Sequence, residues 1–325
     1  MSDRPPGPGV PIARCFGWGM LGILAAFLAD NYLTLWHRFP GSTAIADTAP
    51  PAVAWMQAGL YGAAVVLACA WVLATPSVPL RVDALRIADI NRYLIRGAFW
   101  AVLLVGVADA VVSFLRIEEL LPGMVGDTLA RDLGKSSFRG TWLHWPLVLV
   151  GLVCAAFSRS IGFHWLAALV VIAELLIVIA RFVFSYEQAF MADLVRFWYA
   201  ALFLFASAYT LMEEGHVRVD VFYAGLSGRA KGWVNAVGAV TLGMSMCWVI
   251  LAFGMGSKSS VINSPLLAFE VTQAGFGLYV KYLMAGFLGL FAVSMLIQFT
   301  SYFLEAIADT RGEAGRREPE GVPGH

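Results

Sequence analysis

The sequence predicts an all-α, polytopic membrane protein with about eight transmembrane helices. Of its 325 residues, 59% are hydrophobic and only 14% are charged, whereas about a quarter of the residues in a soluble globular domain are charged. Apolar runs that approach the roughly 20 residues needed to cross a bilayer recur along the chain. Lysine and arginine gather in alternate connections between these runs, as in multi-pass membrane proteins. An ordinary soluble domain is therefore excluded.

Eight apolar runs qualify as membrane spans or nearly do. The fourth is the shortest and contains Pro146, so a tilted span and a re-entrant segment both remain open for it. The Pro- and Gly-rich stretch before the first run lacks a cleavage signature, and we expect the first helix to remain as an anchor. The runs are 15–36, 52–74, 97–115, 142–158, 163–185, 196–213, 232–255 and 276–303.

The distribution of basic residues predicts the orientation of the chain. With the amino terminus inside, thirteen lysines and arginines fall in inner segments and six fall in outer loops. Cytoplasmic connections of membrane proteins carry this excess. Both termini are therefore predicted to be cytoplasmic.

The inner segment 80–96 shows helical spacing of its apolar residues. One face carries apolar residues and another carries arginines: Leu80, Ala84, Ile87 and Leu94 on the first, and Arg81, Arg92 and Arg96 on the second. This pattern is typical of a helix that lies in the membrane interface. A solvated connector is the alternative.

A strongly polar stretch separates the sixth and seventh runs. It begins with Glu213-Glu214-Gly215-His216-Val217-Arg218-Val219-Asp220 and continues through Ser227 to Lys231. Placing even one unpaired charge in hydrocarbon costs on the order of 3 kcal/mol. The stretch therefore marks a membrane surface, and the basic-residue bias places it on the cytoplasmic side.

This stretch and its flanks carry a resemblance to a known family. Arg181-Phe182-Val183-Phe184 comes first, followed by Asp193-Leu194-Val195-Arg196-Phe197, the Gly215–Asp220 run and Ser264-Pro265. In this order they resemble the small membrane subunit of tripartite ATP-independent periplasmic (TRAP) transporters. The resemblance covers about 161–307. One departure is Asp193, where the family usually has Glu.

The resemblance implies a division of the chain. Segment 161–307 would be the four-helix small subunit, 1–160 an added unit of about four helices, and 308–325 a flexible cytoplasmic tail. Because 1–160 holds an even number of spans, its removal should leave the other helices inserted in the same orientation. A chain starting near Ser160 is then expected to keep its partner.

The resemblance also implies partners and a location. A large membrane subunit of this family holds the sodium and substrate sites, and a periplasmic binding protein delivers an organic anion such as a carboxylate. This chain would scaffold the large subunit in the bacterial inner membrane. Within that role His216, Arg218 and Asp220 are structural or subunit-interface candidates.

Two acidic residues lie inside predicted spans. Asp109 and Glu174 each fall about a dozen residues into their runs from the cytoplasmic side, which predicts mid-bilayer positions. Intramembrane ionisable residues are functional candidates, and two carboxylates at one depth are compatible with a proton relay. The alternative is that each carboxyl group is protonated, or hydrogen-bonded within the bundle or to a partner subunit. The absence of a basic residue at the predicted depth argues against the relay.

A group of charged residues is predicted near the outer ends of the fifth, sixth and eighth spans. Opposite charges there are expected to form a network that orients these helices, with contact to an arriving anionic substrate as the alternative role for Arg181. The members are Arg181, Glu187, Asp193, Arg196 and Lys281.

Two function classes outside the scaffold role remain. A membrane anchor of a redox enzyme would need a haem, for which His37 and His144 share the predicted outer side. A self-sufficient secondary transporter is the other alternative. The sequence contains no phosphate-binding loop and no hydrolase or zinc-protease motif, so no enzyme activity and no cofactor are predicted. The zero net charge indicates no nucleic-acid partner.

Overall fold

The structure is a computed structural model, and it describes residues 9–158, 163–186, 189–212, 223, 225–271 and 277–315. The fold is all-helical, with 83% helix and no strand among the described residues. Eight of the described helices are long and apolar enough to cross a membrane, which confirms the predicted number. They are α1 (Gly9–Trp36), α2 (Ala52–Ala74), α3 (Leu80–Ile117), α4 (Ser136–Phe157), α5 (Phe163–Val183), α6 (Ala189–Met212), α7 (Gly228–Met255) and α8 (Lys281–Thr310).

Helix α3 is longer than a single membrane span. Its 38 residues extend about 57 Å at 1.5 Å per residue, against a hydrocarbon core of about 30 Å. It joins the predicted surface segment 80–96 and the predicted span 97–115 into one helix. Leu80, Ala84 and Ile87 are fully buried in protein, which corrects the expectation of a separate helix lying in the membrane interface.

Helix α4 contains the shortest of the predicted runs and is long enough to span a membrane. It extends over 22 residues because helical structure begins at Ser136, before the apolar run. A π-helical turn occupies Gly140–His144. Pro146 lies inside this continuous helix, two residues after the π-helical turn, and it cannot donate a backbone hydrogen bond to the preceding turn.

The described chain divides into two compact units. One comprises Met1–Asn91, Leu211–Ala252 and Met295–His325, and the other comprises Arg92–Thr210 and Phe253–Ser294. Each unit contains residues from before and after 160. The division at 160 stays a prediction about segments of the sequence.

Buried polar pairs hold the unit that contains both termini. The Arg14 guanidinium in α1 donates to the Asp83 carboxylate in α3 at 2.6 Å, and both side chains are almost fully buried. Arg81 donates to Asp309 at 2.6 Å. The Ser301 hydroxyl of α8 donates to the carbonyl of Ala84 at 2.8 Å. These contacts explain why charged residues are tolerated on the buried face of α3.

Aromatic packing supports the second unit. Phe197 and Phe205 of α6 pack against Phe287 of α8, with ring centroids 5.1 and 5.0 Å apart. All three side chains are buried. This core holds α6 against the first turns of α8, which also carry polar residues of the site described next.

Candidate functional site

Asp109 of α3 lies at the centre of a fully buried polar cluster in the second unit. Its Oδ1 atom accepts hydrogen bonds from Arg139 Nη1 at 2.8 Å and from His144 Nε2 at 3.0 Å. Its Oδ2 atom accepts from the backbone amide of Tyr279 at 2.8 Å. Asp109, Arg139 and His144 each have 0% exposure, so the charges are satisfied by protein groups and not by water.

The start of α4 brings two of these side chains to one carboxylate. Arg139 and His144 are five residues apart, which would point them in different directions on a regular α-helix. The π-helical turn Gly140–His144 lies between them, and its wider i→i+5 geometry aligns residues at that spacing. A side chain on Gly140 would overlap the ring of Phe269, so this approach requires glycine.

His144 extends the cluster to α8. Its Nδ1 atom lies 2.8 Å from the hydroxyl of Tyr282, which is fully buried. An ionised carboxylate only accepts hydrogen bonds, so Nε2 carries a proton that it donates to Asp109. His144 thus links the Tyr282 hydroxyl to the Asp109 carboxylate.

The guanidinium of Arg139 is held by several groups. It donates to the Ser113 hydroxyl at 3.1 Å and to the carbonyl of Leu133 at 3.0 Å. The Cζ atom of the guanidinium lies 4.2 Å from the ring centroid of Tyr279, a favourable cation–π distance. Its Nη2 atom has no hydrogen-bond partner among the described residues. The arginine thus serves mainly to neutralise Asp109 and to position the chain before α8.

The expectation that no basic residue lies at the depth of Asp109 is wrong. Arg139 precedes the fourth predicted run and was therefore expected in an outer loop, whereas the depth of Asp109 was counted from the cytoplasmic end of its run. Asp109 lies eight residues before the end of α3, and His144 lies eight residues after the start of α4. Counted from their shared connection, both are about 12 Å along their helices. Counting residues from this connection in the sequence would have predicted that Asp109 and His144 lie at the same depth.

Glu174 is in a different environment. It lies in the middle of α5 and is exposed on the surface of the chain. The contacts of the described residues do not connect it to Asp109, whose carboxylate already accepts three hydrogen bonds. The arrangement of Asp109 is that of a structural ion pair, and the proton relay stays without a described path.

Two ion pairs involve the predicted outer charges over the described residues. Asp193 contacts Arg196 at 3.4 Å and accepts from the amide of Leu278 at 3.2 Å. Lys281 pairs with Glu270. Arg181 is exposed, and Glu187 lies outside the described residues. A single orienting network therefore stays a prediction.

The remaining candidates divide between described and undescribed parts of the chain. His216, Arg218 and Asp220 lie outside the described residues. Both ring nitrogens of His144 are engaged by Asp109 and Tyr282, so haem ligation would require breaking one of these contacts. Over the described ranges, no group of His, Cys, Asp or Glu side chains could hold a metal ion.

These features define a multi-pass helical membrane protein whose buried polar groups serve packing. Residues 166–308 match the family model described as tripartite ATP-independent periplasmic transporters, DctQ component. The match covers slightly less than half of the chain, and it identifies this segment as a TRAP transporter small permease component. The family is a transporter component and not an enzyme family. Comparisons with curated proteins and with solved structures give no match.

Proposed function

We propose that this chain is the small membrane subunit of a sodium-coupled TRAP transporter that imports an organic anion, such as a carboxylate, across the bacterial inner membrane. A periplasmic binding protein delivers the anion, and a separate large membrane subunit carries it. The chain itself performs no chemistry. It supports the large subunit as the fixed part of the assembly.

The family match over residues 166–308 carries this proposal. The character of the described site agrees with it, because Asp109 is neutralised inside the chain and does not face an opening. Several spanning helices also present large apolar side chains outward, among them Leu67 of α2 and Val171 of α5. Such surfaces suit lipid and neighbouring membrane helices.

The four additional spans before the matched segment have a supporting role in this proposal. Asp109 and His144 lie before residue 160, and they hold Tyr279, just before α8, and Tyr282 in its first turn. We infer that the additional helices brace α8 and fix the outer end of the small-subunit segment. Broadening the fixed part in this way would oppose tilting of the small subunit when the large subunit moves.

Transport by reconstituted components tests the proposal. Proteoliposomes that contain this chain and the large subunit should take up a labelled carboxylate when the binding protein and an inward sodium gradient are present. Omission of any one of the three proteins should abolish uptake. The variant Asp109→Asn should keep the sodium dependence even if less complex assembles, because coupling resides in the large subunit.

Two results would contradict the scaffold role. Uptake by this chain alone would make it a self-sufficient transporter. Loss of sodium dependence in Asp109→Asn at a normal yield of complex would place coupling in this chain. A Soret absorption band in the purified protein would instead support a redox anchor.

A further inference from the structure

Glu174 is a carboxylate on the outward surface of a membrane helix. Helix α5 has 21 residues, and Glu174 is the twelfth. At 1.5 Å per residue the helix is about 31 Å long, close to the thickness of the hydrocarbon core. Glu174 is therefore near the middle of the bilayer and far from both headgroup regions, so its short side chain cannot reach either of them.

The surroundings of Glu174 are apolar and uncovered. Leu166 and Ala173, seven residues apart and thus on one face, are the buried positions of α5. The side chains that flank Glu174 on the outward face are exposed, and no described residue pairs with its carboxylate. These flanking residues are Val171, Ile172, Leu175 and Val178.

An uncovered carboxylate in hydrocarbon is strongly disfavoured, and such residues normally face a partner or a cavity. Over the described residues, the chain itself provides no basic partner for the Glu174 carboxylate. Arg181 is on the same side of α5, about 10 Å away along the helix axis, and no ion pair joins it to Glu174 over the described residues. Against lipid the carboxyl group could stay in hydrocarbon only by binding a proton, whereas a covering protein that supplies a basic group lets it remain ionised.

Symmetry decides between a second copy and a different protein. Two copies in one membrane share an orientation, and a two-fold axis along the membrane normal places identical residues at identical depths. Glu174 would then meet Glu174, and because two ionised carboxylates at close range repel, one of them would have to bind a proton. A different membrane protein can instead supply a basic side chain at mid-depth, which would neutralise the carboxylate.

We propose that the outward face of α5 docks a transmembrane helix of a different subunit, and that a lysine or arginine on that helix pairs with Glu174 in the middle of the bilayer. This inference rests on the proposed function for the identity of the partner, which is the large transport subunit. The apolar side chains of α5 seal the pair from lipid. The pair fixes the depth at which the two helices meet.

The first experiment compares two variants that each introduce a glutamine on an exposed helix face. The large subunit is co-expressed with the full-length wild-type chain, Glu174→Gln or the control Leu67→Gln, which changes an exposed residue of α2. Complex formation is measured by titration in nanodiscs. Glu174→Gln should weaken binding at least tenfold, because an amide cannot neutralise the partner's charge, and Leu67→Gln should change it less than twofold. Equal binding of wild type and Glu174→Gln overturns the proposal.

Photo-crosslinking keeps the test independent of folding defects in Glu174 variants. A photoreactive amino acid replaces Val171 or Val178, which flank an unchanged Glu174, or replaces Leu67 as a control. Adducts with the large subunit are expected from the two α5 positions and not from Leu67. An adduct with a second copy of this chain, or with lipid alone, overturns the proposal.

The basic partner is then identified by a double-mutant cycle. Lysines and arginines in the spans of the large subunit are replaced one at a time by methionine, in the wild-type and Glu174→Gln backgrounds. The predicted partner is the residue whose replacement weakens wild-type binding but has no further effect in Glu174→Gln. If wild type does not bind the large subunit at all, the proposed function fails. If wild type binds and no residue couples to Glu174, this inference alone is overturned.

Discussion

The backbone amide of Tyr279 donates a hydrogen bond to the carboxylate of Asp109 at 2.8 Å, across 170 positions of sequence. Tyr279 lies in the segment that matches the small permease family, and Asp109 lies before it. Tyr282 and His144 repeat the connection at 2.8 Å. The additional helices are thus bonded through buried polar groups to the segment that defines the family.

Removing the Asp109 carboxylate should destabilise the protein through Arg139. In Asp109→Ala the guanidinium of Arg139 stays fully buried without its anion. Breaking a buried pair from one side costs on the order of 3 kcal/mol. Thermal unfolding of the purified protein in detergent should show a clear decrease in Tm.

Two controls separate this effect from general sensitivity. Asp127→Ala removes an exposed carboxylate between α3 and α4 and should change Tm little. The double variant Asp109→Leu with Arg139→Leu removes both charges and should recover part of the lost stability, because no unpaired charge remains. A double variant less stable than Asp109→Ala would contradict this account.

Arg14 and Arg86 both contact the Asp83 carboxylate, so the stability lost on replacing each arginine can be compared directly. Arg14 is almost fully buried and donates to Asp83 at 2.6 Å and to the Thr75 carbonyl at 2.6 Å. Arg86 contacts the same carboxylate at 3.4 Å but is half exposed. Arg14→Ala should cost about 3 kcal/mol because it strands a buried carboxylate, and Arg86→Ala about 0.5 kcal/mol or less. Equal losses in urea unfolding would show that burial is not the deciding factor.

The helices could be predicted from the sequence because they depend on local composition. Each predicted apolar run corresponds to a helix of the structure. Helices α3 and α4 begin well before their predicted runs, and both differences have the same cause. Arg81, Asp83 and Arg139 interrupt the apolar pattern, yet they pair with residues distant in sequence and so remain inside helices. A hydropathy pattern cannot show that a charge has a partner.

The site could be predicted only as isolated residues. Asp109 and Glu174 look alike in sequence, since each is a single acid in an apolar run. The structure separates them, because one is enclosed by Arg139 and His144 while the other is exposed. That difference depends on which face each helix presents to its neighbours, and the π-helical turn that aligns Arg139 with His144 has no recognised pattern in the residues 140–144.

The orientation of the membrane helices is testable with single cysteines. Helix α7 extends continuously from Gly228 to Met255, so its two ends lie on opposite sides of the membrane. In a background with the four native cysteines replaced, Gly228→Cys should resist an impermeant thiol reagent in intact cells, and Ser259→Cys should react. The excess of basic residues in the inner segments is the reason.

Labelling after cell disruption provides the control for that experiment. Both cysteines should then react, which shows that Gly228→Cys was shielded by the membrane and not by the fold. Reaction of Gly228→Cys and not of Ser259→Cys in intact cells would reverse the orientation of the whole chain.

Removal of the additional helices should weaken the family segment without changing its orientation. A chain that starts at residue 159 loses an even number of spans, so α5 should still begin on the same side. It also loses the partners of several polar groups on α8, including the Tyr282 hydroxyl, the Ser301 hydroxyl and Asp309. Each polar group left unpaired away from water costs about 1–3 kcal/mol, a loss that apolar packing against lipid does not replace.

The expected outcome is a truncated chain that inserts but gives a low yield of monodisperse protein by fluorescence size-exclusion chromatography. Co-expression of residues 1–158 as a separate chain should restore the yield, because the same hydrogen bonds form between the two pieces. The Asp109→Ala version of the 1–158 piece should restore it less well, since it lacks the acceptor for the Tyr279 amide. If the truncated chain is as stable as the full-length protein and binds the large subunit equally well, the buried contacts to α8 are dispensable and the bracing role of the additional helices is wrong.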